Sequence, residues 1–507
     1  MRWARASVIT MPFMTAGAFA SPLAAQATIG GDWREDVAQF AHRLVDAGLT
    51  PGMGVAVSIG DRVAYAAGFG RADMATGRAA TGDTPFYIAS TTKSLTGLAA
   101  VLAAHSGELD LDAPMVRYLP AARLPDGVAR ESITVRDLLT LTHGLAGDGP
   151  VVLRTAYTGQ FTTAQLLDLL RYHRATGAHG TFSYNNLGYN LLGLVLESVY
   201  GAAWQDVVHR LVIEPLGLAR TTARLSSLPP DVIALPHDWT PAGFARAELG
   251  KADANMHAAG GHFASAHDLA RYTAAHVSGG IVDGQRVLPA APVLATREQR
   301  IGQQRQFGPF HRFGWGYGLD LATYDGDTLV SRFGSFSGYR SHVSFMPRHE
   351  IGVVVLVNGG GPAFDVADIV ATYIYDRLLG KPGLEARYGA RVDSLTRQAQ
   401  ESRRVMAAHL AERRARLAPL PYPLSRYAGT YENALLGRME WRVVAGGLEM
   451  TLGVVHSRAE VFDASKHQLR IEVGGGGQVA EFRFPEAGGP ARGVRLAGQE
   501  FARAPPP

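Results

Sequence analysis

The sequence predicts an α+β fold, an α/β/α sandwich around a mainly antiparallel sheet, followed by a small all-β, barrel-like unit. Three observations carry this expectation. Strand-like runs stand at both ends of the stretch 50–360, helical patterns fill its middle, and short alternating strands occupy the C-terminal part.

Residues 53–60 (MGVAVSIG) and 63–69 are strand-like runs joined at Gly60-Asp61-Arg62, a hairpin signal. A helix is expected from Ser90. Leu95, Leu98, Val101 and Leu102 recur at helical spacing, and Gly107 closes it. From about 130 to 275, helical patterns alternate with Gly/Pro loops. Thr134 can cap a helix there, and Asp137 three residues on completes a capping box. Residues 328–333, 341–345 and 351–357 read as three successive strands. The last (IGVVVLV) is apolar throughout, which predicts a central strand buried on both faces. The early hairpin and the late strands make one sheet, and the helices pack on it.

The character changes around Lys381-Pro382-Gly383. Residues 390–417 are charged and helical, with arginines interleaved with Asp393, Glu401 and Glu412. That pattern predicts a solvated connecting helix rather than a nucleic-acid arm. Pro419, Pro421 and Pro423 end it. Beyond Tyr427, Leu448, Met450 and Leu452 alternate after Gly446-Gly447, and Leu469, Ile471 and Val473 alternate again, as in a closed or nearly closed small barrel. The expected organisation is a signal peptide over 1–27, a large α+β domain over 28–385, a helical linker over 386–423 and a β-domain over 424–507.

The totals agree. A chain of 507 residues exceeds one ordinary core, so two folded units are expected. Apolar content of 47% with 19% charged residues is globular, neither disordered nor membrane-spanning. A net charge of +4 over this length gives no nucleic-acid footprint. The absence of cysteine excludes disulfides, a thiol nucleophile and thiolate metal sites. At the N-terminus, basic Met1-Arg2-Trp3-Ala4-Arg5 precedes an apolar run to Ala20, and Ala25-Gln26-Ala27 fits a signal-peptide cleavage site. The run is short for a span and contains Pro12 and Gly17. The mature chain is therefore expected to be periplasmic or secreted, without stable membrane insertion.

Two motifs carry chemistry. Ser90-Thr91-Thr92-Lys93 puts a serine and a lysine three residues apart on one helix face, where hydroxyl and amine can touch. An adjacent amine can take the proton that makes serine a poor nucleophile. Downstream, Tyr184-Asn185-Asn186 stands just ahead of an apolar helix. A tyrosine near two cations can ionise below its ordinary pKa of about 10 and act as a base. Asn186 offers both a donor and an acceptor. Alone, the first reads equally as a helix cap and the second as a turn.

Together and in this order, the motifs resemble the serine β-lactamase and penicillin-recognising family, closest to its class C and esterase branch, over about 35–380. The segment Leu138-Leu139-Thr140-Leu141-Thr142-His143-Gly144-Leu145 is similar to the family's LLTHTSGL, and 259–271 to its Gly-Gly segment leading to Asp-Leu. The part from Leu424, with Tyr427-Ala428-Gly429-Thr430-Tyr431, resembles the lipocalin-like β-domain often appended to such hydrolases.

The resemblance implies roles. Ser90 would be acylated, Lys93 would lower its pKa and shuttle its proton, Tyr184 would be the base, and Asn186 would position substrate. Counting back from Gly338-Tyr339-Arg340-Ser341, the family's Lys-Thr-Gly triplet corresponds here to Arg332-Phe333-Gly334. Oxyanion donors would be the N–H groups of Ser90 and Ser335, the second from a sheet-edge strand. Arg332 keeps a positive charge and can bind a carboxylate through two parallel hydrogen bonds, but cannot give up a proton. Phe333 lacks the threonine hydroxyl, which points to an ester or amide with an apolar flank rather than to efficient β-lactam hydrolysis. Esterase activity is expected first, then D-amino-acid peptidase, then β-lactamase activity, with a small ester or amide, a peptide or a β-lactam as substrate and no cofactor. The alternative is a non-catalytic protein that uses the same cleft to bind a cell-wall peptide or partner.

Other constellations carry less. His257, His262 and His267 are five apart, a spacing that keeps no common face, so no metal site is expected. Neither His-Glu-x-x-His nor Gly-x-Ser-x-Gly occurs. The glycine runs 358–361 and 474–477 lack the Lys-Ser/Thr of a phosphate loop.

Overall fold

A hairpin turning at Gly60 seeds the main sheet. The structure is a computed structural model describing residues 32–415, 419–473 and 476–505; the expected signal peptide lies outside them. Helix α1 (Trp33–Asp46) precedes strands β1 (Gly52–Ile59), β2 (Arg62–Asp73) and β3 (Arg78–Ala79). Helices α2 (Thr92–His105), α3 (Leu187–Tyr200) and α4 (Ala266–Ser278) follow. Then come β4 (Ile301–Phe307), β5 (Phe310–Trp315), β6 (Asp320–Tyr324), β7 (Asp327–Phe336), β8 (Tyr339–Met346) and β9 (Ile351–Val357), then α5 (Ala363–Leu378) and α6 (Leu384–Ala415). The sheet order is β4-β5-β6-β7-β8-β9-β1-β2-β3, and the pairings are antiparallel.

The apolar run of β9 explains the layering. Val354 and Leu356 face one core with Leu95, Leu98, Leu191 and Leu269, from α2, α3 and α4. Val353, Val355 and Val357 face the other, with Val37 and Phe40 of α1 and Val370 and Ile374 of α5. Alternate side chains of one strand serve both layers, so the strand lies at the centre of a sandwich. The capping box at Thr134 is present, with both Thr134 and Asp137 bonded to each other's backbone N–H.

The connecting helix departs from its expected character. It begins at Leu384, and Tyr388, Val392, Leu395 and Ala399 are buried against the second core. Tyr388 meets Phe40 and Tyr373 edge-on at 5.6 and 5.1 Å. These four positions make one narrow helical stripe among arginines, so the solvated face hides a packing face. No residue of α6 beyond Ala399 is buried.

The C-terminal unit is a second sheet of nine strands, β10 (Gly429–Asn433), β11 (Gly437–Val444), β12 (Gly447–Leu452), β13 (Val455–Arg458), β14 (Glu460–Asp463), β15 (Gln468–Val473), β16 (Gly476–Arg483), β17 (Gly493–Leu496) and β18 (Gln499–Arg503). Its order is β13-β12-β11-β10-β18-β17-β16-β15-β14, so the open seam falls between two strands consecutive in sequence. The sheet is nearly closed around Tyr427, Tyr431, Trp441, Met450, Ile471, Phe482 and Phe501.

This unit bonds to a turn of the sandwich unit. Residues Arg154–Thr158 form a π-helical turn. Arg154 donates to the carbonyls of Leu435 and Ala434 at 2.6 and 2.9 Å, and Val454 N–H donates to Thr158 O at 3.0 Å. Leu153 and Tyr157 pack against the β-domain core. Among the described residues, no helix is long and apolar enough to cross a membrane.

Candidate active site

Ser90 stands on a short 3₁₀ turn, Ala89–Thr91, that runs into α2. Ala89, just before it, is held at φ 45°, a left-handed conformation unusual for a residue with a Cβ. The turn is pinned to the sheet. Thr91 Oγ1 donates to Arg332 O at 3.1 Å, and Ser341 Oγ donates to Ile88 O at 2.9 Å. Ser90 is half-buried and opens on a cavity of about 100 Å³.

Lys93, on the first turn of α2, is fully buried. Its Nζ donates to Ser90 Oγ at 3.2 Å, Asn186 Oδ1 at 2.6 Å and Ala259 O at 2.7 Å. Three N–H groups meet three acceptors, as an ammonium requires. Burial draws its pKa down to about 8, against the raising pull of the Tyr184 oxygen. Asn186 is the residue at the head of α3, so the helix start fixes its amide beside the lysine.

Tyr184 is half-buried, with its ring edge-on to Trp315 at 5.9 Å. Burial opposes ionisation of the phenol. The charges of Arg332 and Lys93 outweigh it, with Arg332 donating to the phenol at 2.7 Å, and hold the pKa down at about 8.

The structure gives Arg332 three partners: Asp320 at 2.8 Å, Tyr184 Oη at 2.7 Å and Ser90 O at 3.1 Å. It is 4% exposed, and its guanidinium also lies 4.8 Å from the Tyr184 ring centroid. The carboxylate it meets is the protein's own Asp320.

Phe333 corrects an expectation. Its ring faces the other layer, against Phe307, Phe310 and His342 at 5.4, 5.5 and 4.3 Å. Alternation along a strand forces this once Arg332 and Gly334 face Ser90. The apolar flank of the pocket is Phe336 with Tyr87 and Tyr157.

Strand β7 has neighbours on both sides in the sheet, but its pairing with β6 ends at Ser331. Residues 332–336 pair only with β8 and overhang the Ser90 turn as a local edge. Gly334 allows this. A Cβ there would lie 2.0 Å from Ile88 O and 3.0 Å from Ser90 N. Ser335, exposed and lining the pocket, sits at that overhang.

Sequence reasoning missed Asp320, Trp315, Ala259 O and Lys251. An acidic residue inside the apolar stretch 319–322 was a signal that a buried cation awaited it. His257 and His262 pack against Trp204 at 5.8 and 5.5 Å, and His267 lies near Asp83. Among the described residues no group of three or more potential metal ligands occurs.

Residues 37–374 match the family model described as Beta-lactamase, and the chain belongs to that family of serine hydrolases. Penicillin-binding protein 4 of Amycolatopsis lactamdurans is 28% identical over 347 residues, 65% of this chain and 85% of that protein. The octameric penicillin-binding protein homologue from Pyrococcus abyssi superposes with a TM-score of 0.58 at 23% identity, covering 92% of this chain and 100% of that one. D-amino acid amidase from Ochrobactrum anthropi SV3 gives 0.58 at 21% identity, covering 69% and 98%. At these identities the two structures support the fold.

Proposed function

We propose, from that family membership, that the protein cleaves small esters or amides through an acyl-enzyme on Ser90. One observation carries the reading: Lys93 Nζ touches Ser90 Oγ while Arg332 holds Tyr184, its pKa drawn down to about 8, beside them.

Tyr184 as phenolate takes the Ser90 proton while Oγ forms a bond to the substrate carbonyl carbon. The carbonyl oxygen becomes an oxyanion received by the N–H groups of Ser90 and Ser335; one such donor is worth about 3 kcal/mol. The carbon–leaving-group bond then breaks, and the leaving group takes the proton back from Tyr184. Water attacks the Ser90 ester by the same route, with Tyr184 as base, and releases the acid. Lys93 donates to Oγ and steadies it beside the phenolate, and Asn186 holds Lys93. Arg332 is a positioning residue.

Esters rank first, because Arg332 is engaged within the protein and offers no free cation to a β-lactam carboxylate. A D-amino-acid amide is a second reading, favoured by the likeness to a structure named a D-amino acid amidase. The expected localisation is periplasmic or secreted.

A fluorophosphonate probe, 4-nitrophenyl esters of graded length, D-alanyl peptides and nitrocefin test the reading on wild type and Ser90→Ala. Wild type is expected to label and to turn over short esters far faster than nitrocefin, and Ser90→Ala to do neither. Equal labelling of both proteins would sink the acyl-enzyme; nitrocefin as the best substrate would overturn the ranking.

A further inference from the structure

Only four of the 49 basic residues are lysines: Lys93, Lys251, Lys381 and Lys466. Two of the four, Lys93 and Lys251, sit at the Ser90 site. Lys251 is 7% exposed and stands among three aromatic rings, 4.0 Å from the centroid of Phe336, 5.4 Å from Tyr87 and 6.0 Å from Tyr157. It lines the same cavity as Ser90, Asn186 and Ser335. Its hydrogen bond goes to the carbonyl of Ala156, and among the described residues it makes no ion pair. A buried cation without a counter-charge costs stability, so its retention calls for a use. Burial alone draws its amine down to about 7, and a bound anion would restore the charge. A second unmet group lines the cavity: His257, 7% exposed, has no hydrogen-bond partner at Nδ1.

We propose that Lys251 is the specificity-determining cation of this pocket and selects acyl groups that end in a carboxylate. The inference rests on the acyl-enzyme reading of Ser90 and deepens it. Direction supports it. Tyr184 returns its proton to the leaving group, so the leaving group lies on the Tyr184 and Arg332 side. The acyl part leaves the same carbonyl carbon the other way, along β7 towards Phe336, four residues or about 13 Å from Arg332 at roughly 3.3 Å per residue. Lys251 stands over Phe336 at that end. The small cavity suits a short dicarboxylic acyl chain, its methylenes against Phe336 and Tyr87 and its carboxylate on Nζ. Recognition by a single amine beside apolar rings discriminates, because only an acyl group that carries a carboxylate meets Nζ with a charged hydrogen bond.

The test compares the mono-4-nitrophenyl ester of glutaric acid with 4-nitrophenyl pentanoate, enzyme-free hydrolysis subtracted, on wild type, Lys251→Met, Lys251→Arg and Ser90→Ala. Wild type is expected to prefer the carboxylate-bearing ester by about tenfold or more in kcat/KM, the scale of one charged hydrogen bond. In Lys251→Met that ratio is expected to fall towards one, and Lys251→Arg to keep part of it. Free glutarate is expected to slow fluorophosphonate labelling of wild type and not of Lys251→Met. A wild type without the preference, or an unchanged ratio in Lys251→Met, overturns the assignment. Should Lys251→Met fail to fold, the wild-type ratio and glutarate protection still decide. Turnover surviving in Ser90→Ala would instead overturn the acyl-enzyme reading.

Discussion

Arg332 is tied by three hydrogen bonds to Asp320, Tyr184 and the Ser90 carbonyl. Its charge is the leading cause that lowers the Tyr184 pKa against burial. Neutralising it in Arg332→Gln should let the phenol climb from about 8 towards its ordinary 10. A base works deprotonated, so activity rises with pH through its pKa, and raising that pKa moves the rise to higher pH. Ester turnover at pH 7.5 is expected to fall about 10- to 100-fold and to recover in part above pH 9. A pH–rate profile of kcat/KM checks this; an unmoved alkaline rise would remove Tyr184 from the role of base. Ser90, Lys93, Tyr184 and Asn186 were legible because two local motifs carry them. Asp320 and Lys251 were not, because their partners lie far away in sequence and only the folded sheet brings them together.

At the scale of elements, the overhang of β7 is the device that matters. Its last five residues, paired on one side only, pass over the Ser90 turn, and Gly334 makes the approach possible. In Gly334→Ala the methyl would collide with backbone at Ile88 O, which cannot yield as a side chain can. Overpacking of this kind costs about 1–3 kcal/mol. Gly334→Ala is expected to lower Tm by several degrees and to cut kcat more than KM, measured by thermal melting and steady-state kinetics; wild-type kcat would show that the overhang does not build the oxyanion site. Short apolar runs bounded by turn residues made β1 and β9 easy to read. The stripe of α6 was harder, because four apolar positions spaced through a run of arginines look like a charged helix until a core stands opposite them.

The molecule as a whole joins its two units through the wall of the pocket. Thr155, Ala156 and Tyr157 line the cavity beside Ser90, and the turn that carries them is bonded to Ala434, Leu435 and Val454 of the β-domain. Arg154→Ala removes the donor of two β-domain carbonyls, at about 0.5–1.5 kcal/mol for each hydrogen bond lost. It is expected to lower ester kcat/KM several-fold, although Arg154 itself touches no substrate. Full activity together with a lowered melting temperature would restrict Arg154 to a structural role. Composition and strand spacing made the existence of both units legible. Their joint was not, because a π-helical turn and carbonyl acceptors leave no mark on a residue pattern.

That joint also decides how the protein ages under heat. A pocket whose wall is braced from behind by a second, separately cored unit depends on that unit staying folded. The inactivation half-life should therefore follow whichever unit melts first, and turnover can vanish while the sandwich that carries Ser90 is still intact.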